Sequence, residues 1–232
     1  MIIRGSVLFI TCTLAIVGMT LSSCIEHRSR FEDEPVNSVD DLVRDDTSQL
    51  DPYKGEDRFH WQRPDFVIDQ LGDLSNKVMA DLGAGSGYFS FRLVKKAKKL
   101  IAIDIDPSMI ALLEDEKSYY NDEIQSRFES RLATPSDPKL KNNEVDIILM
   151  VNTYPYIEYR INYFTRLREC LKPGGLLMIV DFKKRNLPIG PDKELKVAIT
   201  TVEDELAQAG YTRMVSDDYS LAYQYIVKAY KD

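Results

Sequence analysis

Continuous apolar runs, separated by glycine, proline and charged residues, recur along the chain from about residue 77 onward. Segments 77–82, 145–151 and 176–182 consist mostly of Val, Ile, Leu and Met, and a similar run ends at Asp104. Strands covered on both faces show this pattern because neither face has to be polar. Helical segments separate the runs, which predicts right-handed β-α-β units and a parallel sheet.

The remaining elements follow from periodicity and from helix start and stop signals. A third strand is predicted near residues 128–132, and two terminal segments of alternating character, 211–215 and 223–230, predict a hairpin. The predicted helices span Pro64–Gly72, about Gly87 to Lys98, a segment opening at Pro107, Tyr163–Leu171, and a last helix that is capped at Thr201–Asp204 and ends at Gly210.

The first long strand ends in an acid and a glycine-rich turn, Asp81-Leu-Gly83-Ala-Gly85-Ser-Gly87. Glycine permits a positive φ and lets a ligand come close to the backbone where a β-carbon would collide. The helix that follows turns its free N–H groups toward such a ligand. The alternative is a plain tight turn, with Asp81 serving only the helix dipole.

Asp104 closes the second strand, 17 residues beyond Gly87. In nucleoside-binding α/β sheets a carboxylate at about this separation binds the ribose hydroxyls. The alternative role, capping the next helix, is better filled by Asp106 followed by Pro107. The turn and the acid together predict an adenosyl ligand.

Glycine spacing and charge narrow the choice of adenosyl ligand. Tyr88 follows Gly87, so the G-x-G-x-x-G pattern of dinucleotide sites is not met, and no G-x-x-x-x-G-K-[ST] run is present. A carboxylate at Asp81 would repel a pyrophosphate but attract a cation. S-adenosylmethionine, which carries a sulfonium and an ammonium group, fits both constraints.

Four motifs in order resemble those of class I S-adenosylmethionine-dependent methyltransferases. Residues 81–87 are similar to motif I and Asp104 to the motif II acid, while 145–152 resembles the fourth strand and 171–180 the "LKPGG" turn into strand five. The resemblance covers roughly residues 58–228, and the subgroup it most resembles is that of ubiquinone- and menaquinone-biosynthesis-like methyltransferases.

This resemblance implies an α/β fold: a Rossmann-like, doubly wound, mostly parallel seven-stranded sheet with a C-terminal antiparallel hairpin. It also implies S-adenosylmethionine as cofactor and methyl transfer to a small-molecule or lipid-like acceptor. The implied cofactor-binding residues are Asp81, Gly83, Gly85, Gly87, Asp104, Thr134 and Asn152. Tyr154 and Tyr156 would face the acceptor and are the candidate acid/base residues, although aromatic residues in such a loop often only pack.

The chain departs from the subgroup in lacking histidines after strand four and in the strand-five loop. His27 and His60 are its only histidines, so neither a histidine base nor a metal site is expected. Methyl transfer from a sulfonium is an in-line displacement for which a base is optional. The alternative function is a tethered, catalytically inactive ligand-binding module that retains the fold.

The first residues read as a bacterial lipoprotein signal over residues 1–23. Arg4 precedes an uncharged, mostly apolar stretch, and Leu21-Ser-Ser-Cys24 resembles a lipobox, which predicts lipidation of Cys24 and membrane attachment outside the inner membrane, the outer membrane being favoured by Ile25. The alternatives are an uncleaved anchor, or a translation start at Met19 that leaves a cytoplasmic enzyme.

An acidic stretch follows, and it predicts a flexible tether over residues 24–57 before a methyltransferase domain at 58–232. The chain carries 30 Lys and Arg against 37 Asp and Glu, a net charge of −7, which argues against nucleic acid as a partner. Cys170 is expected to be a small core residue.

Overall fold

A computed structural model of the protein describes residues 58–232. The predicted signal at 1–23, the lipidation site Cys24 and the predicted tether at 24–57 lie outside the described residues. Within 58–232, no helix has both the length and the apolar character needed to cross a membrane.

In this described part of the chain, seven strands form a single sheet in the order β3-β2-β1-β4-β5-β7-β6. All pairings among β1 to β5 are parallel, and β7 pairs antiparallel with β5 and β6. The fold class predicted from the sequence is confirmed, including the antiparallel hairpin at the C-terminal end. The strands are β1 (Val78–Leu82), β2 (Lys99–Asp104), β3 (Phe128–Leu132), β4 (Val145–Val151), β5 (Leu171–Phe182), β6 (Arg213–Asp217) and β7 (Gln224–Tyr230).

Between residues 58 and 232, seven α-helices accompany the sheet. Asp106 caps α4 as predicted, because its Oδ1 accepts a hydrogen bond from the Ser108 N–H at 2.8 Å. The helices are α1 (Arg58–Gln62), α2 (Pro64–Asp69), α3 (Ser90–Leu93), α4 (Pro107–Lys117), α5 (Asp122–Arg127), α6 (Arg160–Cys170) and α7 (Ile199–Gln208).

Four predicted helices have different bounds in the structure, and two of them differ most. The helix predicted from about Gly87 to Lys98 is reduced to α3, because Gly87 has a φ of +87° and the Lys98 N–H already bonds to the Lys77 carbonyl at the entry to β2. The last helix begins at Ile199, without a side-chain cap, so Thr201 lies inside it. Local capping patterns therefore did not predict these helix ends, which depend on tertiary contacts.

The central strands are buried on both faces, as their composition predicted. Ile101 on β2, Ile148 on β4 and Leu177 on β5 are fully buried. Cys170 is also fully buried, and burial raises the pKa of its thiol to about 11. The prediction that Cys170 is a core residue is confirmed.

Candidate functional site

The glycine turn and Asp104 meet at the carboxyl ends of β1 and β2. The N–H groups of Gly83 and Ala84 both donate to the Ile103 carbonyl at 2.9 Å, which fixes the turn onto β2. The Gly85 N–H then donates to Asp104 Oδ2 at 2.8 Å. The two features that predicted a nucleoside site are thus in direct contact.

The three turn glycines have different environments, although all have a positive φ. A β-carbon on Gly83 would lie 2.2 Å from Thr153 Oγ1, and one on Gly87 would lie 2.5 Å from the Phe91 ring. A β-carbon on Gly85 would meet no atom within 4 Å. Gly83 and Gly87 therefore permit close packing within the protein, whereas Gly85 leaves space that a ligand can occupy.

Asp81 is buried behind the turn, with 3% of its surface exposed. The Ser90 hydroxyl donates to Asp81 Oδ2 at 2.6 Å. Burial raises the pKa of the Asp81 carboxyl to about 6; the charge of Asp104 raises it further, while Ser90 and the cationic Arg58 oppose the rise. Asp81 can therefore carry a negative charge at neutral pH.

Asn152 lies at the exit of β4 in a left-handed conformation, with φ of +57°. The residue is buried, with 7% of its surface exposed, and its Oδ1 accepts a hydrogen bond from Gln224 Nε2 at 2.5 Å. Its Nδ2 is buried without a hydrogen-bond partner among the described residues. A buried amide nitrogen without a partner is costly in free energy, and this one lies where β4 ends.

Two glutamine side chains, Gln224 on β7 and Gln62 on α1, connect Asn152 to α1 by hydrogen bonds. Gln224 Oε1 accepts from Gln62 Nε2 at 3.1 Å, and Gln62 Oε1 accepts from Arg58 Nε at 2.7 Å. Gln62 and Gln224 are both fully buried. Sequence reasoning missed this connection; the available signal was a glutamine at the start of the otherwise apolar run of β7.

Thr134 follows β3 in an exposed turn. The Ala133 N–H donates to the Asp104 carbonyl at 2.8 Å, which holds this turn beside the predicted ribose site. Thr134 and Asp137 exchange backbone hydrogen bonds at 3.1 and 3.2 Å. The predicted contact between Thr134 and the adenine stays a prediction.

Residues 80–177 match the family model described as "Methyltransferase domain". A crystal structure of a SAM-dependent methyltransferase from Aquifex aeolicus superposes with a TM-score of 0.70 at 23% identity, covering 82% of this chain and 100% of that one. Residues 80–177 are thus similar to a methyltransferase domain, and the described residues have the fold of a SAM-dependent methyltransferase. The predicted class of enzyme and the predicted cofactor, S-adenosylmethionine, agree with these similarities.

Curated relatives match over about half of this chain. Malonyl-[acyl-carrier protein] O-methyltransferase of Xylella fastidiosa is 30% identical over 112 residues, which cover 48% of this chain and 37% of that protein. Phosphoethanolamine N-methyltransferase 1 of Triticum aestivum is 32% identical over 122 residues, covering 51% and 24% respectively. The chain therefore spans less than half the length of either relative.

The two tyrosines predicted to face the acceptor have different surroundings. Tyr154 is fully buried, stacks on Phe164, and donates its hydroxyl to Glu205, which also receives a bidentate ion pair from Arg160 at 2.6 and 2.9 Å. Burial and Glu205 raise the pKa of this phenol. The placement gives Tyr154 a structural partner, and its predicted role toward the acceptor stays a prediction. Tyr156 is 58% exposed, and its role stays a prediction.

A second buried carboxyl group lies at the end of β5. Asp181 accepts hydrogen bonds from the N–H groups of Phe182 at 2.7 Å and Tyr154 at 3.2 Å, and it is 1% exposed. Burial raises its pKa to about 7, against the opposing effect of these two bonds. Asp181 holds the turn after β4 in place, and sequence reasoning did not single it out.

The methyltransferase domain offers groups that suit S-adenosylmethionine. Asp104 would accept hydrogen bonds from ribose hydroxyls, the space beside Gly85 admits a ligand, and Asp81 suits a cationic group. Within residues 58–232, no group of three or more His, Cys, Asp or Glu side chains is placed to hold a metal ion.

Proposed function

We propose that this chain transfers a methyl group from S-adenosylmethionine to a small-molecule or lipid-like acceptor. The hydrogen bond from Gly85 to Asp104 carries the proposal, because it unites the glycine turn and the acid at one edge of the sheet. Open α/β sheets bind their ligands at this edge.

Asp104 retains the capacity to bind a ribose diol. Its Oδ1 accepts from the Asp106 N–H at 3.0 Å and its Oδ2 from Gly85. Each carboxylate oxygen has two lone pairs, so both oxygens can accept a further hydrogen bond from a hydroxyl group. The protein donors also fix the orientation of the carboxylate before a ligand arrives.

S-adenosylmethionine supplies a methyl group on a positively charged sulfur, and the methyl passes to a nucleophilic atom of the acceptor as the carbon–sulfur bond breaks. The protein has to hold the two partners in line and exclude water. Asp81 attracts the cationic end of the donor, and Gly85 lets the donor lie against the backbone. No described residue has to form a covalent bond.

The class of acceptor rests on two observations. The net charge of −7 disfavours a polyanionic nucleic acid. The two named relatives act, by their names, on a malonyl group carried by acyl-carrier protein and on phosphoethanolamine. Both support an acceptor of small-molecule or lipid-like chemistry.

Calorimetric titration with S-adenosylmethionine and S-adenosylhomocysteine tests the proposal. We expect both to bind, and Asp104→Ala to weaken both by at least about tenfold, as loss of hydrogen bonds to a charged group implies. Asp106→Ala is the matched control, since it removes a nearby carboxylate that only caps α4. Absence of binding by the unmodified chain would refute the proposal.

A methyl-transfer assay distinguishes an active methyltransferase from a catalytically inactive ligand-binding module. Labelled S-adenosylmethionine would be incubated with membrane lipids, quinones and small metabolites, and transfer of the label to an acceptor supports the enzyme. Binding of the cofactor together with no transfer to any of these acceptors favours a catalytically inactive module instead.

The location of the protein is a separate proposal, supported by the sequence alone. The apolar stretch after Arg4 and the lipobox-like Leu21–Cys24 favour a lipoprotein held at the membrane by Cys24. The mass of the mature N-terminus tests it: a diacylated cysteine supports the proposal, and a chain that starts at Met19 refutes it in favour of a cytoplasmic enzyme.

A further inference from the structure

The buried polar side chains of Arg58, Gln62, Gln224 and Asn152, here called the amide relay, form a chain of hydrogen bonds with one direction. A guanidinium group can only donate, so Arg58 requires an oxygen from Gln62. The nitrogen of Gln62 then faces Gln224, and the nitrogen of Gln224 faces Asn152. Each amide orientation follows from the one before it.

The direction of the amide relay determines which atom of Asn152 remains for a ligand. Its Oδ1 is occupied by Gln224, and its buried Nδ2 has no hydrogen-bond partner among the described residues. A single asparagine can rotate its amide by 180° to present either atom. Here rotation would place two N–H groups against each other, so Asn152 is held as a donor.

The register of the sheet shows where this donor lies. Leu82 of β1 pairs with Met150 of β4, so residues two positions further on, Ala84 and Asn152, follow at the same edge. Thr153, the next residue, lies within van der Waals distance of Gly83. Asn152 is therefore beside the glycine turn, at the same edge of the sheet as the end of β1, which carries Asp81.

We propose that the amide relay positions Asn152 Nδ2 to donate a hydrogen bond to the carboxylate of the cofactor's methionyl group. The inference rests on the proposed function, because that carboxylate belongs to S-adenosylmethionine and to S-adenosylhomocysteine. Asp81 would repel a carboxylate while it attracts the neighbouring ammonium group. A neutral amide donor binds the carboxylate without competing for Asp81.

Substitution of Gln224 tests the direction of the amide relay. In Gln224→Glu the new carboxylate can accept from Gln62 but cannot donate to Asn152, so Asn152 must turn and present its oxygen to the ligand. We expect the affinity for S-adenosylhomocysteine to fall by about tenfold or more, since the lost bond involves a charged group. Gln224→Met removes the hydrogen bonds of this side chain, so the amide of Asn152 is no longer held in one orientation but is not reversed. We therefore expect a smaller loss of affinity for S-adenosylhomocysteine.

Comparison with 5′-methylthioadenosine, which has the nucleoside and the thioether but no amino-acid carboxylate, separates the amide relay from general damage. We expect Gln224→Glu and Asn152→Ala to leave the affinity for this ligand unchanged. Gln208→Glu is the matched control: it makes the same change at an exposed site on α7 and should alter neither affinity.

Each outcome of these titrations has one meaning. A selective loss of S-adenosylhomocysteine binding supports the inference. An equal loss for both ligands, or no loss for either, overturns it while leaving the proposed function intact. If the unmodified chain binds neither ligand, the proposed function itself fails.

Discussion

The side chain of Thr153 occupies the space in which a β-carbon on Gly83 would lie, 2.2 Å from that position. The turn after β1 and the residue two positions beyond β4 are thus packed without room for a methyl group. Gly83 also has a φ of +78°, which L-residues adopt at a cost. The chain segments that follow β1 and β4 can therefore pack closely because Gly83 has no side chain.

Gly83→Ala and Gly85→Ala should separate packing from ligand access. Gly83→Ala is expected to lower the free energy of unfolding by about 2 kcal/mol or more, from backbone strain and the clash with Thr153. Gly85→Ala, at a φ of +53° in open space, should cost about 1 kcal/mol. Its main effect should be weaker cofactor binding. Urea denaturation and calorimetry measure the two quantities, and equal destabilisation by both would contradict this division.

Cofactor binding should depend on pH through Asp81. Its pKa of about 6 means that the carboxyl loses its charge as the pH falls below 6, and with it the attraction for the cationic ligand. We expect the affinity for S-adenosylmethionine to fall by about tenfold between pH 7 and pH 5.

Asp81→Asn is the test of that dependence. The asparagine has the same shape and no charge, so binding should be weak at both pH values and nearly independent of pH between them. A variant that retains the pH dependence of the unmodified chain would assign it to another group.

The stability of the fold should fall between acid and neutral pH because of Asp181. Its pKa is raised from 3.8 to about 7 in the folded state, so the folded chain holds this proton more tightly than the unfolded chain does. The resulting stabilisation is fully present below pH 4 and is lost as the pH rises to 7, amounting to at most about 4 kcal/mol.

Urea denaturation of the unmodified chain and of Asp181→Asn at pH 5 and pH 8 isolates this contribution, because the other titrating groups are common to both proteins. The free energy of unfolding should fall more steeply with pH in the unmodified chain. Parallel pH profiles would show that Asp181 is ionised in the folded state across this range.

Tyr154 and Tyr156 should differ in their effect on stability. Tyr154→Phe removes the hydroxyl that Glu205 accepts from, and we expect the free energy of unfolding to fall by about 1–2 kcal/mol. Tyr156→Phe, at an exposed position, should change it by less than about 0.5 kcal/mol. Equal effects in urea denaturation would argue against the structural role assigned to Tyr154.

The sheet could be predicted from the sequence because its strands are long apolar runs. β3 and β4 have the predicted bounds, and β1 differs from its prediction by one residue. Helix α3 was overpredicted, since its length is limited by the entry to β2 and not by its own residues. The apolar composition of a strand indicates that both of its faces are buried. The end of a short helix depends instead on contacts with other parts of the fold.

The site was predictable only in part. Asp81, Gly85 and Asp104 follow each other within 24 residues, and their spacing carries the signal. The amide relay joins α1 to β7 across 162 positions through Gln62 and Gln224, and no local pattern identifies a glutamine that is buried by distant packing. The burial of Tyr154 could not be predicted either, because a loop position does not reveal which way a ring points.

The order of β7 and β6 in the sheet is the reverse of their order along the chain. β6 is made first, yet its neighbour in the sheet is β7, and β7 alone joins it to β5. During synthesis on the ribosome, residues 213–217 therefore have no strand to pair with until residues 224–230 have emerged. Gln224 arrives with that strand, so Asn152 gains its hydrogen-bond partner only at a late stage of folding.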